Sequence, residues 1–313
     1  MSKNIAIRDA YGEALRELGG INEKVIALEA DIGNSSKSLL FGAAYPERYF
    51  NVGISELNMV NMSAGLALEG FIPYVNTFAV FMSTRALDPV QSLIAYDGLK
   101  VRLCGTYCGL SDSYDGASHQ ALTDVAAMRA IPGMTVVSVA DAVETKKAVF
   151  ALADYPGPAY LRLSRAPWPV VYNNDFQFEI GKGVVHREGA DVTIISAGTV
   201  LHNVLEAAKL LADEGIQATV VDMHTISPID KQLIEECARK TGAILAVEEH
   251  SVFGGLGSAV AEAAAACCPV PVDILGMEEF AESGALDALI EKYGFGAKNI
   301  AARAKTLMKR KEK

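Results

Sequence analysis

The chain has 313 residues, half of them hydrophobic and 21% charged, and a net charge of −10. That length accommodates about two domains of roughly 100–200 residues with sizeable cores, and the acidic balance argues against nucleic acid, whose phosphates require clustered Lys and Arg. No stretch of about 18 apolar residues lacks charges or turn residues, so a membrane span is not expected.

The start, MSKNIAIRDAYGEAL, reads as an amphipathic helix with no secretory signal. Helices are expected over Ala6–Leu18, Glu56–Glu69 and Asp141–Ala153. Strands are expected at Val25–Leu28, Tyr74–Asn76, Lys100–Gly105, Thr135–Ser138 and Ala159–Leu163. Alternation of this kind argues a parallel sheet covered on both faces. The prolines, asparagines and aromatics of Ala166–Gly183 interrupt the pattern and read as a crossover.

Four buried-type strands follow in DVTIISAG, ATVVDMH, AILAVEE and PVDILG. Helices Thr199–Glu214, Lys231–Thr241 and Ser258–Cys267 lie between them. The fold class is therefore α/β with two domains, each a mainly parallel sheet covered by helices. The expected division is 1–170, a linker 171–187, and 188–313. The basic run Lys305–Lys313 reads as a solvated helix end. The five cysteines, an odd number in apolar surroundings, suit reduced thiols in a cytoplasm. Cys104 and Cys108 have no nearby His or second Cys pair, so no metal site is expected.

Tyr49–Phe81 carries the most chemistry. Glu56 follows the strand-like Tyr49–Val52 and Gly53 and opens a helix, where the helix dipole alone favours an acid. Small and apolar residues follow, and Phe78 and Phe81 arrive on the next segment. A carboxylate against an apolar wall takes up and shares a proton readily. Beside an aromatic platform, it matches what thiamine diphosphate needs for self-activation. Further on, DSYDGASHQALTD forms a loop beyond a strand end, where α/β proteins bind ligands.

Nearly the whole chain resembles the second half of a transketolase, its pyrimidine-binding domain followed by its C-terminal domain. The resemblance rests on GISELNM, NTFAVF, D-G-x-S-H-Q and VEEHSVFGGLGSAVAEA. It implies that Glu56 activates the cofactor and that Phe78 and Phe81 pack on its aminopyrimidine ring. It implies that His119 hydrogen-bonds sugar oxygens at the reacting carbons and that Asp115 reads the adjacent hydroxyl. Arg8, Ser35 and Arg165 match the grip on the substrate's distal phosphate, and Arg suits that task through its bidentate fork.

Two departures stand out. Tyr107 occupies a position where the family commonly has a phosphate-reaching His, and Thr84 replaces an aromatic expected near the pyrimidine. The tail of the substrate is thereby left open between phosphate, sulfonate and a neutral group. The GDG…N motif that holds Mg²⁺ and the diphosphate in thiamine enzymes does not occur in the sequence. The resemblance thus implies a split transketolase, with a partner subunit supplying the Mg²⁺ ligands and an α2β2 assembly. Competing readings are the β subunit of a 2-oxo-acid dehydrogenase, a deoxyxylulose phosphate synthase-like protein, and a catalytically silent α/β scaffold. Gly254–Gly257 before a helix is a candidate anion site, and His250 reads as structural.

Overall fold

The computed structural model describes residues 4–311. The first three residues of the amphipathic start and the last two of the basic tail lie outside them. Two sheets organise the chain, one seven-stranded and one five-stranded. In the larger sheet the order is Thr225–Ser227, Thr135–Ser138, Ala159–Leu163, Arg102–Thr106, Ile72–Phe78, Val25–Glu29 and Tyr49–Asn51. All its pairings are parallel except that of Thr225–Ser227, which runs antiparallel along the edge. The inner strands are buried at every position or nearly so, as continuous apolar runs with helices on both faces require.

The second sheet runs Val272–Met277, Ile244–Ser251, Val192–Ser196, Ala218–Asp222 and Val184–Arg187. Its pairings are parallel apart from the Val184–Arg187 edge. Both layers are therefore mainly parallel α/β. Among the described residues no helix is long and apolar enough to cross a membrane.

The structure corrects two local readings. The helix near the start begins at Ile7, and Asn4–Ala6 is instead a strand paired antiparallel with Pro167–Pro169. Proline is tolerated there because this two-stranded ribbon has no neighbour beyond it for the missing N–H to serve. The edge strand Thr225–Ser227 was also not anticipated. It comes from the second half of the chain and closes the first sheet, so the two halves share a continuous seam.

That seam is polar as well as apolar. Arg162, buried, pairs with buried Asp124 at 2.8 Å and donates to the carbonyls of Ala121 and Glu249. The Arg162 guanidinium, the larger of the charges acting on it, holds the Asp124 carboxyl below its usual range against the cost of burial. His250 accepts from the Ala126 amide through Nε2, and its Nδ1 lies 2.8 Å from the Ser251 carbonyl. With the proton on Nδ1, both ring nitrogens are engaged: the contact to Ser251 fixes the ring within its own half, and Nε2 joins the halves through Ala126.

Candidate functional site

The residues singled out in the first half share one address. Glu56 follows the strand Tyr49–Asn51, Ser35 follows Val25–Glu29, and Phe78 ends Ile72–Phe78. Tyr107 follows Arg102–Thr106, and Arg165 follows Ala159–Leu163. These are five neighbouring strands of one parallel sheet, and every residue leaves from the carboxyl end. That edge is where open α/β sheets place their ligand crevices.

Glu56 opens the helix Glu56–Leu68 and is buried. The turn before it needs Gly53, whose φ of +72° lies in the left-handed region. Glu56 Oε1 accepts from Arg85 Nη1 at 3.0 Å, and the Arg85 guanidinium lies 3.7 Å from the Phe81 ring centroid. Among the described residues Oε2 takes no hydrogen bond. Phe81 and Phe78 are half-buried, tilted, with centroids 5.8 Å apart. The His119 ring meets both edge-on, at 5.3 Å from Phe81 and 5.8 Å from Phe78. A connected path thus runs from the carboxylate of Glu56 through Arg85 and the two phenylalanines to His119.

The D-G-x-S-H-Q loop is braced from both sides. His119 Nδ1 lies 2.9 Å from Ser118 Oγ, and Gln120 Nε2 donates to the Glu282 carbonyl at 3.1 Å. Gly284 donates its amide to the Ser113 carbonyl at 2.8 Å. Gly116 has φ +73°, and a Cβ there would strike the Ser283 side chain. Asp115 is exposed on the same loop.

Beyond His119 the path continues to a second group. Phe78 lies 4.7 Å from the ring of Tyr107, and the Tyr107 hydroxyl accepts from Arg8 Nη1 at 2.7 Å. Arg8 also donates to the Ser35 carbonyl at 3.3 Å, so Ser35 enters through its backbone in this arrangement. The Arg165 guanidinium stands 5.0 Å from the Tyr107 ring centroid. Arg8 and Arg165 line one open cleft of about 490 Å³ with Asn4, Ile5, Ala6, Asp9 and Pro167. Two arginines in one cleft can receive an anion.

Two residues of the site were missed in the sequence. Arg85 had a readable signal: it sits one helical turn after Phe81, the spacing that stacks side chains on one face. Asp112 had none. Its carboxylate is wholly buried and pairs with Arg165 at 2.9 Å across 53 residues of sequence. Thr84, where an aromatic was expected, is exposed and its hydroxyl donates to the Val80 carbonyl at 2.6 Å. The candidate anion site at Gly254–Gly257 is filled by the chain itself. The Leu256 and Gly257 amides both donate to the Glu248 carboxylate at 2.8 Å. The five cysteines are free, and burial pushes Cys104 and Cys108 up to about 12, which keeps them as thiols.

Comparison with known proteins converges on one family. The model of the transketolase pyrimidine binding domain matches residues 3–169, and that of the transketolase C-terminal domain matches residues 181–300. A solved split gene transketolase, described as an inactive beta4 tetramer, is 45% identical. It superposes with a TM-score of 0.92 and covers 98% of this chain and 99% of its own. The 6-deoxy-6-sulfo-D-fructose transketolase subunit SqwH of Clostridium sp. is 39% identical over 306 residues, 97% of this chain and 95% of that protein. Human transketolase is 38% identical over 308 residues, which is 97% of this chain but 49% of that protein.

Proposed function

The chain belongs to the transketolase family, and from that premise we propose that it is the C-terminal subunit of a split transketolase. It transfers a two-carbon ketol unit from a ketose with a phosphate or other anionic tail to an aldose acceptor. The observation that carries this reading is the convergence of Glu56, Phe78, Phe81 and His119 at one sheet edge, with an arginine-lined cleft beyond them. In this reading residues 1–170 form the pyrimidine-binding domain, 171–187 the linker, whose last residues Val184–Arg187 pair as the edge strand of the second sheet, and 188–313 the C-terminal domain.

The residues present fit the pyrimidine half of thiamine diphosphate. Glu56 is a buried carboxylate with an oxygen left over, and two half-buried aromatic rings lie beside it. When bound, the cofactor supplies a carbon nucleophile that carries the two-carbon unit. Glu56 holds the proton at the pyrimidine ring nitrogen, while Phe78 and Phe81 hold the ring in place and exclude water. Arg85 fixes the Glu56 rotamer by pairing with Oε1. His119 donates to sugar oxygens near the reacting carbons, Asp115 accepts from the neighbouring hydroxyl, and Arg8, Ser35, Tyr107 and Arg165 hold the tail.

The Mg²⁺ ligands and the diphosphate clamp come, in this proposal, from a partner subunit carrying GDG…N, in an α2β2 assembly. The relative described as an inactive beta4 tetramer supports the need for that partner. The test is reconstitution. The purified chain is assayed for ketol transfer alone and then with the product of a neighbouring reading frame of about 270–300 residues that carries GDG…N. Activity is expected only in the mixture; turnover by the isolated chain with thiamine diphosphate and Mg²⁺ would refute the split assignment.

A further inference from the structure

A buried carboxylate stands directly behind the tail cleft. Arg165 is held at two points by the loop that follows Arg102–Thr106: its amide donates to Ser111 Oγ at 3.1 Å, and its Nη1 pairs with Asp112 Oδ1 at 2.9 Å. Asp112 is wholly buried, and its Oδ2 has no hydrogen-bond partner. The guanidinium of Arg165 is therefore its one counter-charge at ion-pair distance, while the guanidinium itself stays partly open to the cleft. Asp9, another carboxylate, lines the cleft rim within 3.9 Å of Lys37.

Across the cleft, Arg8 spends Nη1 on the Tyr107 hydroxyl and the Ser35 carbonyl, and its buried Nε has no partner. Tyr107 lies beside both guanidiniums and contributes no charge. Around the cleft, Arg8 and Arg165 give two positive charges, Asp112 behind Arg165 offsets one, exposed Asp115 beside Asp112 lowers the positive potential further, and Asp9 is offset by Lys37. A singly charged tail fits that balance better than a doubly charged phosphate ester, whose second negative charge would stand uncompensated in a partly dry site.

Building on the functional reading above, we propose that Asp112 sets the substrate range of this subunit, tuning the Arg8–Arg165 cleft to a singly charged oxyanion such as a sulfonate over a phosphate dianion. With the Arg165 guanidinium between them, one hydrogen-bond length from each, the additional charge of the dianion would stand roughly 7 Å from Asp112. At an effective dielectric of about 40, between protein surface and water, that repulsion is worth roughly tenfold in affinity. Burial and the neighbouring Asp115 push the Asp112 carboxyl up to about 6, so it carries its charge at pH 8.

The test is binding to the full chain at pH 8, where a phosphate monoester is a dianion. Ribose 5-phosphate and 5-deoxy-5-sulforibose are titrated into the wild type, Asp112→Asn, Asp112→Ser and Arg165→Ala, with arginine side-chain NMR signals as the readout. The wild type should bind the sulfonate at least as tightly as the phosphate. Both Asp112 variants should gain roughly tenfold for the phosphate and threefold or less for the sulfonate, and Arg165→Ala should weaken both. A purely structural role for Asp112 predicts equal losses for the two ligands, and that result overturns the proposal. So does a wild type that already prefers the phosphate tenfold, or one that binds neither. Ketol transfer by the reconstituted complex is measured separately with an uncharged acceptor. Its absence would remove the functional reading, while the binding ratios would still decide the role of Asp112.

Discussion

Asp222→Asn should flatten a fall in stability with rising pH that originates at the seam between the two halves. Asp222 ends the strand Ala218–Asp222 and is wholly buried, and its Oδ2 accepts from the Tyr172 hydroxyl at 2.7 Å. Buried Glu144, on the helix Ala142–Asp154 of the other half, faces it. Glu144 Oε2 accepts from the Ala140 amide at 2.6 Å, which leaves Glu144 Oε1 and Asp222 Oδ1 as the two carboxyl oxygens without a conventional partner. Two carboxyls so placed share one proton.

Burial pushes Asp222 up to about 7 from an ordinary 3.8, and burial and then the Asp222 charge push Glu144 up as well. The sign follows directly. Between about pH 4 and pH 7 the folded chain keeps a proton that the unfolded chain has released, so stability is greatest below the unfolded value and is lost as pH rises towards 7. One proton is worth about 1.4 kcal/mol per pH unit, and sharing with Glu144 reduces the total, giving a loss on the order of 2–4 kcal/mol.

The asparagine amide supplies a permanent donor to Glu144 and keeps an acceptor for Tyr172. Urea midpoints of both proteins at pH 5, 6, 7 and 8 give the difference curve. The comparison also cancels His224, which burial lowers to about 4 and which adds a slope of opposite sign in both proteins. The variant should gain on the wild type steadily from pH 5 to pH 7. Parallel curves would refute the shared proton.

Three further outcomes test the site itself. Glu56→Gln keeps the shape but cannot exchange a proton, so turnover of the reconstituted complex should fall roughly 10²–10⁴-fold with an unchanged unfolding midpoint; retained turnover removes Glu56 from the mechanism. Arg165→Ala should raise KM for anionic sugars about ten- to a hundredfold and leave short uncharged aldehydes such as glycolaldehyde nearly unaffected; equal losses would make this arginine structural. His119→Ala should impair both substrate classes, because they share the carbons it faces, and selective loss of anionic sugars would move His119 to the tail end.

The parts of the fold that were legible in the sequence are those with local causes. Val192–Ser196 and Ala218–Asp222 announce themselves as apolar runs because both faces of each strand are covered. The helix at Glu56 is announced by Gly53 and the acid in its first turn. The strands that escaped notice, Asn4–Ala6, Pro167–Pro169, Val184–Arg187 and Thr225–Ser227, are three or four residues long, and their partners lie far along the chain. Pairing of that kind is decided by tertiary contact and leaves no periodic trace.

Within the site, legibility followed the same rule, and Tyr107 marks its limit. The sequence showed a tyrosine at a position where a histidine is common, but it did not show that the backbone there sits at φ +61°. For a bulky residue that conformation is uncommon and costs on the order of 1–2 kcal/mol. The structure offsets the cost with the hydrogen bond from Arg8 and the ring contact with Phe78. The strained residue is therefore also the one that joins the aromatic group near Glu56 to the arginines of the tail cleft. An aromatic side chain serves that junction because its ring packs on Phe78 while its hydroxyl accepts from Arg8, and it does so without adding charge beside Asp112 and Arg165. In the proposed substrate site the uncharged Tyr107 and the buried carboxylate of Asp112 act in the same direction, each limiting the positive charge available to the substrate's tail.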